Sequence, residues 1–130
     1  MRCQFASTKL HDFANQAILG IGVAPQTATS TVTGTGGDLL HGDGRCFAIQ
    51  QVGTVSGTSP TLDGKIQESS DNSTWTDIAG ATFTQVTAST NYQAITFDRT
   101  KRYVRYVGTI GGTSPSFAVA VVISEQKKQV

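Results

Sequence analysis

A two-residue period in the apolar positions constrains this chain more than any other feature. Phe117, Val119, Val121 and Ile123 recur at every second position, and Leu62, Gly64 and Ile66 alternate with Asp63, Lys65 and Gln67. Successive side chains of a strand point to opposite faces, so such runs fit a sheet with one face buried and cannot line one side of a helix. In the last run the alternate positions hold Ala118, Ala120 and Val122, which predicts a strand covered on both faces.

Shorter β-runs fill the rest of the chain from Pro25 onward, each bounded by Gly, Asp, Asn or Ser. Strands are expected over 27–33, 45–55, 62–69, 75–78, 83–86, 91–97, 102–110 and 116–124. Abundant Thr supports this, because a β-branched side chain suits a pleated, half-buried surface. In 91–97, Ile95 and Phe97 oppose Tyr92 and Ala94. Several short strands at this spacing indicate an all-β fold, an antiparallel sandwich of jelly-roll type over residues 25–130. Residues 1–24 read as an N-terminal arm or short helix. Leu10, Phe13, Ala14, Ala17 and Ile18 fall at one-face helical spacing, with Ser7 as N-cap. A helix this short is unstable alone and must dock on the domain or on a neighbour.

One segment occurs twice. Val52-Gly53-Thr54-Val55-Ser56-Gly57-Thr58-Ser59-Pro60 returns as Val107-Gly108-Thr109-Ile110-Gly111-Gly112-Thr113-Ser114-Pro115. Each copy stands between two apolar runs, so both are expected to be hairpin connections, with Gly supplying positive φ and Pro closing the loop. Two such loops at one end of a sandwich would make a paired Ser/Thr rim. Candidate contact residues are therefore Thr58, Ser59, Pro60, Thr113, Ser114 and Pro115, together with Leu10, Phe13 and Ile18 of the arm.

Composition removes several function classes. Ten basic and nine acidic side chains leave a net charge of +1, which provides no footprint for direct nucleic-acid binding or for an anionic membrane surface. Arg99, Lys101, Arg102 and Arg105 read as a solvated strand edge, and Lys127 and Lys128 as a solvated tail. The apolar stretch 17–23 is far below transmembrane length. Cys3 and Cys46 are too few for a disulfide framework or a zinc site, and Cys46 reads as a small core residue. His11 and His41 are the only histidines, and neither stands in a nucleophile–base pattern. His41 with Asp38 and Asp43 falls short of a calcium loop. Trp75 reads as a core anchor in preference to a stacking platform. No enzyme activity, cofactor or metal is expected.

The run Lys65-Ile66-Gln67-Glu68-Ser69-Ser70-Asp71-Asn72-Ser73-Thr74-Trp75-Thr76-Asp77-Ile78, followed by Lys101-Arg102-Tyr103-Val104-Arg105-Tyr106-Val107 and Gly112-Thr113-Ser114-Pro115-Ser116, resembles a signature of small structural proteins of tailed bacteriophages. Asn72 stands where Gly is usual in the turn; Asn also tolerates positive φ. The resemblance implies a β-sandwich protein of the virion, specifically a capsid decoration or cement protein assembled in the host cytoplasm. It would bind the outer surface of the major capsid protein and bridge neighbouring capsomers as a homo-oligomer, trimer ahead of dimer. Two alternatives are a tail, baseplate or head–tail connector component, and a carbohydrate-binding module that stacks sugars on Trp75 and Tyr92.

Overall fold

A computed structural model describes residues 17–19, 22–40 and 42–127. They form one antiparallel sheet, all-β as the alternation predicts: β1 (Ala17–Leu19), β2 (Val23–Ala28), β3 (Val32–Thr33), β4 (Gly37–Asp38), β5 (Gly42–Ser69), β6 (Thr76–Thr82), β7 (Asn91–Phe97) and β8 (Tyr103–Lys127). Of the arm or short helix expected within residues 1–24, Ala17–Leu19 is strand. Ala17 to Leu19 pair with Gln126 to Ser124 of β8, and Leu10 and Phe13 lie outside the described residues. β-branching at Ile18 and an available β8 edge outweigh a helical spacing too short to hold by itself.

The backbone of the fold is the β5–β8 ribbon. At 28 and 25 residues, these strands are several times the usual length of about 5–6, and they pair from Gly42↔Lys127 to Ser69↔Tyr103. One half of the ribbon is flanked by β7 on β5, paired Cys46↔Phe97 through Val52↔Asn91, and by β2 and β1 on β8. The other half is flanked by β6 on β5 and by β3 and β4 on β8.

The ribbon folds back on itself. Gln50 and Ile66 are separated by 16 positions of β5, about 50 Å of straight strand. Yet Tyr106, the partner of Ile66 across the ribbon, donates its hydroxyl proton to Gln50 Oε1. The inner faces of the two halves therefore share one core: Ala48, Val52, Phe117, Val119, Val121 and Ile123 from one, Leu62, Ile66, Val104 and Tyr106 from the other. Phe83 meets the Tyr106 ring edge-on at 6.0 Å. Gly64 and Gly108 leave the space that the Tyr106 ring occupies, since a Cβ at either would lie within 3.0 Å of it. Burial pushes the Tyr106 phenol above its ordinary range, so it stays a hydrogen-bond donor to Gln50. Segment 83–86 closes one side: Phe83 N–H donates to Gly64 O, Leu62 and Val86 exchange backbone bonds, and the Gln93 amide bonds both Thr84 N–H and Thr84 O.

The turn after β5 is held by Asp71. Its Oδ1 accepts from Ser73 N–H at 2.9 Å, Thr74 N–H at 2.8 Å and the Ser69 hydroxyl at 2.8 Å, and Asn72 takes a φ of 59°. These bonds, Thr74 foremost, hold the Asp71 carboxyl below its ordinary 3.8. Gln67, and after it Lys65, does the same for Asp77. Both groups titrate lower folded than unfolded. Their contribution is therefore complete above the ordinary carboxyl range and is lost as pH falls through the depressed values. Asp71→Asn and Asp77→Asn are each expected to flatten the acid limb of a plot of unfolding midpoint against pH below about pH 4. An acid limb that neither substitution changes would contradict this account.

Candidate interaction surface

The two Gly-Thr-Ser-Pro copies do not reverse the chain. They lie opposite each other inside the ribbon, with Thr58 paired to Thr113. From this pair to Ser56↔Ser116, β5 advances two residues while β8 advances three; toward Thr61↔Gly111 the counts exchange. Each strand thus carries a bulge beside the other's. Gly57 and Gly112 take φ of 113° and 111°, and Ser59 and Ser114 take 50° and 48°. The environments match as well: a Cβ on Gly57 would lie 2.6 Å from Ser114 O, and one on Gly112 2.6 Å from Ser59 O. A local two-fold relation links the copies.

The expectation of hairpins is corrected for a physical reason. Gly at positive φ followed by Pro is as good a signal for a bulge as for a turn, and only the partner strand decides between them. Bulges sharpen the local twist and bend, and Thr58 lies midway between Gln50 and Ile66, where the ribbon folds. The residues the sequence singled out are therefore brought together at the bend. Thr58, Ser59, Thr113 and Ser114 are exposed, Pro60 and Pro115 half-buried. No charged side chain occurs from Val52 to Leu62 or from Tyr106 to Ser124, so the bend presents hydroxyls, backbone and a few half-buried apolar side chains.

A second surface adjoins it. On the half carrying β7, the outward positions are Ile49 and Gln51 of β5, Ala118, Ala120 and Val122 of β8, and Tyr92 and Ala94 of β7. Tyr92 is 71% exposed and Val122 43%. A shallow groove of about 420 Å³ runs between Pro25, Thr27, Gln51, Gly53, Tyr92, Ala118 and Ala120. The strand expected to be covered on both sides has its outer face only partly covered.

Trp75 is not a core anchor. It is half-buried at the surface of the other half, under the Arg105 guanidinium 4.5 Å from the ring centroid and beside Gly36. The fold thus puts Trp75 and Tyr92 on different halves of the ribbon and builds no shared stacking platform from them.

The basic cluster is paired: Arg102 is exposed, as expected of an edge, while Lys101 and Arg105 are half-buried. Arg102 pairs with Asp38 at 2.8 Å, Arg105 donates to Gln67, and Lys101 reaches Thr76. Arg99 departs furthest from expectation: its side chain is 15% exposed and pairs at 2.9 Å with Glu125, which is 2% exposed. The same guanidinium donates to Leu39 O, Gly42 O and Lys101 O. Cys46 is in the core as expected, and its Sγ donates to Glu125 Oε2 at 3.2 Å. Burial, then that bond, push its thiol up to about 12, so it stays protonated and poorly nucleophilic. A basic and an acidic residue 26 positions apart carry no sequence signal of pairing; the structure brings them together beside Gly42, where a side chain would meet Glu125.

Among the described residues, no three His, Cys, Asp or Glu side chains gather as a metal site, and no helix is long and apolar enough to cross a membrane. His11, His41 and Cys3 lie outside the described residues. No protein-family model matches the chain, and no curated protein matches it.

Proposed function

We propose that this chain is a structural protein of a virion, a capsid decoration or cement protein that binds the outer surface of the major capsid shell and bridges neighbouring capsomers. In this reading the folded ribbon is a β-sandwich of jelly-roll type, each layer built from one half of β5 and β8 with its flanking strands. The observation that carries the proposal is the convergence of both Gly-Thr-Ser-Pro segments on one exposed, uncharged bend, held by a core that spans both halves. The phage-like signature runs Lys65–Ile78 and Lys101–Ser116 support it from the sequence. A rigid body with a neutral polar tip suits many weak, repeated contacts, whose combined strength comes from multivalency.

The test is co-sedimentation with shells assembled from the major capsid protein of the phage that carries this chain. Wild-type protein is expected to pellet at a fixed ratio to shell subunits, with little dependence on salt because the bend has no charges. Thr58→Arg with Thr113→Arg should abolish pelleting while leaving the circular dichroism spectrum unchanged. Deletion of residues 1–16, which stops short of β1, asks whether the preceding segment with Leu10 and Phe13 also holds the shell. Wild-type protein that stays in the supernatant at every concentration would overturn the proposal.

A further inference from the structure

An outer strand with unpaired backbone groups is a template for another chain, and proteins normally blunt it with Pro, Lys, bulges or brevity. The outer strands here follow that rule with one exception among the described residues. β2 contains Pro25 and a register shift between Val23 and Gln26. β1 has three residues, and β3 and β4 have two each. β6 has Gly80 at φ 79°, a register shift opposite Lys65 to Gln67, and a Lys65–Asp77 ion pair across it. β7 has none of these devices. Its seven residues, Asn91–Phe97, pair with β5 without a break, include no charge, Pro or Gly, and carry no second strand among the described residues.

We infer that β7 is a self-association edge, and that its partner is β7 of a second copy of this chain, joined antiparallel about a two-fold axis at Ala94. The self-complementarity of the segment selects this occupant. Face alignment demands that outward residues meet outward residues, and among the registers that satisfy it, the one centred on Ala94 pairs all seven positions. Tyr92 then faces Thr96, Gln93 faces Ile95, and Asn91 faces Phe97. No like charges oppose each other, so nothing in the pairing repels a second copy. The union also continues the outward face across the axis, giving exposed Tyr92 and Ala94 neighbours on the second copy's β7. Such a joint is isologous and closes at two copies, the second of the two oligomers that the resemblance implies, behind the trimer. It stands whether or not the chain belongs to a shell.

The test uses the full chain in a Cys3→Ser background. Sedimentation velocity from about 1 µM to about 1 mM is expected to show a reversible monomer–dimer equilibrium, since one strand joint is smaller than the usual 1,200–2,000 Å² interface. Ala94→Lys, at an exposed position, should leave the unfolding midpoint unchanged and the protein monomeric at every concentration. Ala94→Cys should give a covalent dimer on mild oxidation, because residues directly opposite on antiparallel strands have Cβ atoms about 4.5–5.5 Å apart. Thr109→Cys, exposed on the other half of the ribbon, should not. A protein that is monomeric throughout, a dimer that survives Ala94→Lys, open-ended aggregates, or equal cross-linking at both positions would each overturn the inference.

Discussion

Glu125→Gln should be among the most damaging single substitutions in this chain, although it alters one atom. It leaves the Arg99 guanidinium, 15% exposed, without its counter-charge. Breaking one side of a buried ion pair costs about 3–5 kcal/mol, which for a domain of this size lowers the unfolding midpoint by about 10–20 °C. Arg99 holds the 39–42 and 99–101 segments through three carbonyls, so the damage should extend to hydrogen exchange at both. Replacing both partners with apolar side chains, Arg99→Met with Glu125→Leu, should recover part of the loss. Recovery stays incomplete because Gly42 O and Lys101 O lose this donor, at about 1–3 kcal/mol for each group left unsatisfied, while Leu39 O keeps its bond from Gly42 N–H. A Glu125→Gln loss below about 1 kcal/mol would mean that the pair behaves as a solvated surface bridge.

Gly57→Ala and Gly112→Ala should destabilise the fold by about 2–3 kcal/mol each, and by closely similar amounts. Two costs combine: a φ near 110° that L-residues scarcely adopt, of order 1–3 kcal/mol, and a Cβ forced to 2.6 Å from a backbone carbonyl oxygen of the opposite strand. The near-equality follows from the local two-fold relation and is the more discriminating part of the expectation. Ser59→Gly and Ser114→Gly should act oppositely, since these residues sit at φ of 50° and 48°, where Gly has no Cβ penalty of about 1–2 kcal/mol. Chemical denaturation of the four single variants and both pairs measures all of this. A large inequality between the two glycines would show that the bend is not the symmetric joint described above.

Much of the fold was legible because strand periodicity is local. Alternation put Phe117, Val119, Val121 and Ile123 on one face and set Tyr92 and Ala94 opposite Ile95 and Phe97; the structure buries the first set and Phe97 and exposes Tyr92 and Ala94. Turn chemistry identified Asp71-Asn72, since an Asx turn is built from its own residues. The bend residues Thr58, Ser59, Thr113 and Ser114 were also picked out, because a repeat is visible without any knowledge of its partner. What they form was not: Gly-Thr-Ser-Pro is compatible with a hairpin or a bulge, and the choice is made by the strand lying opposite, 55 positions away in sequence. Trp75 was misplaced for a related reason. Its burial depends on Arg105 and Gly36 lying against it, and nothing near residue 75 announces them.

The two-residue period thus determined that the chain would be a sheet and which side chains would share a face of each strand. Those properties depend on backbone sterics and on the side chains within a few positions. Only the tertiary structure decided that four predicted strands would join into two, that the ribbon would fold at paired bulges, and that Arg99 would find Glu125. Each of these is a contact between distant segments, and its free energy depends on geometry that exists only once the sheet has closed over its core.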